Sequence, residues 1–78
     1  MNTKEQAIML SEKVNQLIND KKVILKITLL SDQKFEAKIL RMESSIDKDG
    51  IFKCSIFLFI HDIENPKEYN LYEIKDIN

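Results

Sequence analysis

One cysteine, one glycine, one proline, one histidine, one arginine and no tryptophan occur among 78 residues. A single cysteine closes no intramolecular disulfide, and with a single histidine it assembles no Cys/His zinc cluster. A single glycine leaves no Gly-rich phosphate loop. The longest unbroken apolar run, Ile56 to Ile60, has five residues, against roughly 20 for a bilayer span. Lys4 and Glu5 stand where a secretory leader would be apolar. These absences predict a soluble, cytoplasmic protein with no metal and no cofactor. A chain of this length buries only about 60% of its unfolded surface. With disulfide and metal excluded, self-association is the reinforcement that remains.

What is present is 44% apolar and 32% charged, with a net charge of -1. That balance is far from the basic excess of a protein that grips nucleic acid by its phosphates. The charge is uneven along the chain: -1 over residues 1–20, +3 over 21–53 and -3 over 54–78, so a basic face remains open. Twelve Ile, eleven Lys and six Asn have A/T-rich codons and point to a low-GC bacterium, or to one of its phages or mobile elements.

Thr3, with Gln6 three residues on, fits a capping box. Ala7, Leu10, Val14, Leu17 and Ile18 then recur at the three- and four-residue spacing of one helix face. The spacing predicts a helix from Lys4, ended by Asn19-Asp20. From Lys22 the period falls to two: Val23, Leu25, Ile27 and Leu29 point one way, Ile24, Lys26, Thr28 and Leu30 the other. Ser31 to Lys34 turns the chain, and Phe35, Ala37 and Ile39 alternate with Glu36 and Lys38 in a second strand. That alternation slips at Leu40-Arg41-Met42, where a bulge would bring Met42 back inward. Asp49-Gly50 reads as a type I′ hairpin turn, with positive φ at both residues. A third strand over Ile51 to His61 sets Phe52, Cys54, Ile56, Leu58 and Ile60 on one face and Ile51, Lys53, Ser55, Phe57 and Phe59 on the other. Tyr69, Leu71, Tyr72, Ile74 and Ile77 supply one or two short closing strands, split near Leu71 to Glu73. The expectation is a single domain over 1–78: a helix over 4–20, then four or five antiparallel strands over 22–78, as a small barrel or a helix-capped sheet.

The pattern Val23-x-Leu25-x-Ile27-x-Leu29-x-x-Asp32-x-x-Phe35-x-Ala37-x-Ile39, with a closing Tyr69-x-Leu71-x-x-Ile74-x-x-Ile77, resembles the Sm-like group of SH3-type barrels. More narrowly, the length of the meander and the ending Leu71 to Ile77 are similar to the YolD-like family. The resemblance implies an Sm-like or SH3-like fold and association through strand edges. The turn glycine of the Sm pattern is Gln33 here and the second-strand glycine is Ala37. The Asp and Asn of the family's uridine-binding loop have no match around Glu43-Ser44-Ser45. The fold carries over without the RNA site.

Among constellations with chemical potential, His61-Asp62 suggests acid/base work, but neighbours on a strand point to opposite faces, so the pair reads as surface. Cys54 sits in an inward row and reads as core. Aligning Gly50 with the glycine of an EF-hand loop puts Ile56 where the bidentate Glu must be, so calcium is excluded. Lys26, Lys38 and Arg41, with Tyr69 and Tyr72, form the candidate ligand or anion site, cations meeting a phosphate and aromatics stacking. Ile24, Leu30, Leu40, Phe57 and Phe59 form a second apolar set that one helix stripe does not cover, and so a candidate interface. No nucleophile with a base, and no catalytic carboxylate pair, assembles from these residues. The expected function is a non-catalytic, self-associating binding module, an accessory of a phage or mobile element that sequesters a small nucleotide or inhibits a host defence protein. The partners expected are another copy, a host protein or a small anionic ligand. An Sm-type RNA or single-stranded nucleic-acid binder is the alternative, and a membrane is not expected.

Overall fold

The computed structural model describes residues 1–60 and 64–78. Helix α1 spans Lys4–Asn19. Its N-terminus is closed reciprocally: the Gln6 N–H donates to Thr3 Oγ1 at 3.2 Å, and the Thr3 N–H donates to Gln6 Oε1 at 2.8 Å, the capping box expected from the sequence. Ala7, Leu10 and Val14 are buried and Leu17 is half-buried, but Ile18 is 41% exposed. The buried stripe therefore narrows in the last turn. There the Lys21 N–H donates to the Ile18 carbonyl at 2.9 Å and the Lys22 N–H to the Leu17 carbonyl at 3.0 Å, with Lys21 at φ 58. This is a Schellman ending with lysine in the left-handed place usually given to glycine.

The rest is mainly β. Strands β1 (Ile24–Leu29), β2 (Lys34–Ile46), β3 (Phe52–Ile60), β4 (Lys67–Asn70) and β5 (Ile74–Ile77) form one antiparallel sheet in the order β4-β3-β2-β1-β5. A 3₁₀ turn, Leu71–Glu73, separates the last two, where the sequence suggested a split. The sheet is open, with no ladder between β4 and β5 among the described residues. Val23, expected in the inward row, precedes β1 and is 64% exposed.

Both long hairpins turn in the same way. At Asp47–Gly50 the Gly50 N–H donates to the Asp47 carbonyl at 3.0 Å, and the Asp47 N–H donates to the Ile51 carbonyl at 3.1 Å. Asp47 Oδ1 also accepts from the Asp49 and Ile51 N–H groups. Only Gly50 has positive φ, at 78. The loop is thus a turn followed by a left-handed bulge residue, and not the two-residue type I′ turn that Asp49-Gly50 suggested. Between β1 and β2 the bonds repeat: Asp32 N–H to Leu29 carbonyl and Leu29 N–H to Gln33 carbonyl, both 2.9 Å, with Asp32 at φ 69. The left-handed place belongs to Asp32, not to Gln33. Aspartate tolerates that region better than most side chains.

The sheet curls strongly. Its register shifts between Ile39 and Arg41, so Met42 returns to the inner side and packs half-buried against the core, as the slip in the alternation implied. Phe35 and Tyr69 belong to β2 and β4, which are separated by β3. On a flat sheet, strands two places apart lie about 9.5 Å from each other, yet these ring centroids are 5.4 Å apart. The inner face buries Leu25, Ile27, Ala37, Phe52, Cys54, Ile56 and Leu58. Ala7, Leu10 and Val14 of α1 close the cluster together with Leu71, Ile74 and Ile77. Each fully buried Leu or Ile contributes roughly 1.5–3 kcal/mol over its exposed state. Polar latches hold the helix there. Asn2 donates from its backbone to the Tyr72 carbonyl at 2.9 Å and from its side chain to the Leu71 carbonyl at 3.0 Å and the Ile74 carbonyl. Lys13 Nζ donates to Asp76 Oδ1 at 2.9 Å, and the Tyr72 hydroxyl donates to the Phe52 carbonyl at 2.7 Å.

Candidate functional site

With the inner face filled, chemistry is left to the outer one. Strand alternation sends Ile24, Lys26 and Thr28 of β1 outward, and antiparallel register sets them opposite Lys38, Glu36 and Lys34 of β2. Lys38 in turn faces Phe59 of β3, and Arg41 faces Phe57. The result is a row, Ile24, Lys38, Phe59, running across three strands. The bulge places Leu40 beside it, on the same side as Arg41. Ile24 is 47% exposed, Leu40 45% and Phe59 39%. A shallow open hollow is lined by Ile24, Glu36, Ala37, Lys38, Phe59 and Ile60.

Four of the five residues expected at an interface are therefore gathered on one face: Ile24, Leu40, Phe57 and Phe59. Leu30 is not among them. It follows β1 at the first hairpin and donates its N–H to the Glu73 carbonyl at 3.0 Å. Phe57 is half-buried because the Arg41 guanidinium lies 4.0 Å above its ring centroid, a cation–π contact of about 0.5–1 kcal/mol at an exposed site.

The residues expected to hold an anion are divided. Lys26, Lys38 and Arg41 share the outer face, but Tyr69 turns inward against Phe35, and Tyr72 lies in the 3₁₀ turn with its hydroxyl bound to Phe52. No aromatic–cation cleft forms from the five. The cations are also interleaved with acids: Lys26 lies opposite Glu36, and Arg41 Nε donates to Glu43 Oε1 at 3.1 Å. Such alternation leaves little net field for a phosphate.

Elsewhere, Cys54 is 1% exposed, and burial pushes its thiol pKa up, away from the reactive thiolate. Among the described residues no group of three or more His, Cys, Asp or Glu is placed to hold a metal ion, and no helix is long and apolar enough to cross a membrane. His61-Asp62 lies outside the described residues. The register of Lys38 between Ile24 and Phe59 is the feature that sequence reading missed. Its signal was the bulge at Leu40, which fixes how β2 meets β3. Nothing among known protein families, curated proteins or solved structures matches this chain.

Proposed function

We propose that this chain is an Sm-like small barrel that serves as a non-catalytic, self-associating binding module, with the outer face of β1, β2 and β3 as its working surface. The fold half of the reading is supported by the strand order, by the bulged and strongly bent β2, and by an N-terminal helix packed over the 3₁₀ turn and β5. The functional half is carried by a single observation: three large apolar side chains, Ile24, Leu40 and Phe59, stand exposed together beside Lys38. Exposed apolar surface of this kind, rimmed by polar residues, marks an association site. The Ile-, Lys- and Asn-rich composition supports an accessory role in a phage or mobile element, where the module binds a host protein.

Affinity for the protein's partner, measured by titration calorimetry at 50 and 300 mM salt, tests the class. An apolar-centred interface changes little between the two. Binding through phosphate contacts falls steeply, and that result overturns the reading in favour of nucleic acid. Phe59→Asp abolishes binding and leaves the far-UV circular dichroism spectrum of the folded chain unchanged.

A further inference from the structure

Three features of the surface decide what sits on the outer face. The first two concern the sheet edges. Two backbone groups of β5 are engaged by side chains: the Ile77 N–H is held by Asp76 Oδ1 at 2.9 Å, and the Ile74 carbonyl accepts from Asn2 Nδ2. Asp76 is itself fixed by Lys13. β4, at the other edge, is four residues long, begins with the charged pair Lys67-Glu68, and follows Pro66, which has no N–H to offer. A short, charged, proline-flanked edge and a side-chain-capped edge are the devices that suppress strand addition. The groove between α1 and β5 has its polar rim, Asn2, Lys13 and Asp76, bound within the chain.

The third feature is the charge order on the face. The outward positions of β2 ahead of the bulge read Lys34, Glu36, Lys38. A partner of uniform charge meets repulsion at every second position. A second copy with its strands reversed meets attraction, because a pattern of alternating sign is complementary to itself under a two-fold rotation.

We infer that the outer face is an isologous dimer interface, two copies packed back to back across β2, with Lys38 of each over Glu36 of the partner subunit. This rests on the self-associating reading above and specifies its geometry. The two-fold axis lies between the sheets and crosses β2 midway between Glu36 and Lys38. The two Ile24–Lys38–Phe59 rows then run side by side, about 7 Å apart along the strands, and seal the ion pairs from water. The arrangement departs from the edge-to-edge association that the Sm resemblance implies, since both edges here are blunted.

The test is a charge reversal read by sedimentation velocity across a concentration series in 50 mM salt. Lys38→Glu and Glu36→Lys, each alone, weaken the dimer at least ten-fold. The double variant, with acid and base exchanged, restores it to within about three-fold of the unaltered chain. Phe59→Asp leaves a monomer. All three positions of substitution are exposed, and unchanged far-UV circular dichroism spectra exclude misfolding. Failure of the double variant to restore the dimer overturns the Lys38–Glu36 pairing. An assembly indifferent to Phe59→Asp and to both reversals overturns the face-to-face geometry while leaving self-association standing. A monomer at every concentration overturns both.

Discussion

Both faces of the sheet carry large apolar side chains along β3, yet they behave oppositely. Inward, Phe52, Cys54, Ile56 and Leu58 are between 0% and 9% exposed; outward, Phe59 is 39% exposed and Phe57 is half-buried beneath Arg41. The difference does not arise within the strand. Curling brings β2 and β4 around the inner side, and α1 lays Ala7, Leu10 and Val14 across what remains open. A helix with one apolar stripe covers one face, and the other is left to whatever the protein meets in solution.

Core truncation gives the largest contrast. Ile56→Ala, at a side chain with no exposure, costs 2–5 kcal/mol, or about 3, while Phe59→Ala costs under about 1 kcal/mol in the monomer. Urea denaturation measures both, and similar losses at the two positions would erase the distinction between the faces.

The left-handed residues sharpen it next: Gly50 fixes the register of the β2–β3 hairpin, and Lys21 the helix ending that leads into β1. No atom lies within 4 Å of a Cβ added at Gly50, so the strain there is purely backbone. Gly50→Ala is expected to cost about 1 kcal/mol, and Lys21→Gly to add about 0.5–1 kcal/mol by relieving the same strain in the Schellman ending. Thermal melting of each variant gives the sign directly.

Chemical reactivity separates the faces as well. With its thiol buried and its pKa raised, Cys54 reacts with a thiol reagent at neutral pH only as fast as the sheet opens. A cysteine placed outward by Ser45→Cys in a Cys54→Ala background reacts at once.

The smallest effect is electrostatic. The Lys13 hydrogen bond, helped by Asn78 and the Ile77 N–H, lowers the Asp76 pKa below 3.8 against an opposing desolvation. A lowered folded pKa means stability that is present above the unfolded value and lost as pH falls through the folded one. Both partners are nearly half exposed, so the contribution is a few tenths of a kcal/mol. Asp76→Asn removes that part of the acid sensitivity, which shows as a smaller drop in melting temperature between pH 5 and pH 2.5.

Much of this architecture is written locally. Thr3 and Gln6 announce the helix start because their groups satisfy each other's backbone donors, and the slip at Leu40 announces the bulge because an extra residue resets a period of two. The turn at Asp32 was less legible. Glycine is the usual sign of a left-handed residue, and Asp32 and Lys21 occupy such positions without it. Tyr69 and Tyr72 were misplaced beside the lysines because aromatics and cations close in composition need not be close in space. Tyr69 lies on β4 with its ring on the inner side, and only the curl of the sheet brings it to Phe35.

The sequence by itself determined the helix and its cap, the strand periods, the inward row of β3 and the break before β5, because each rests on interactions between residues a few positions apart. Which apolar row became core, how Lys38 came to lie between Ile24 and Phe59, and which sheet edge is capped were decided only in the tertiary structure. Those outcomes depend on pairing register and on where α1 docks, and both are set by contacts between residues as far apart as Asn2 and Ile74.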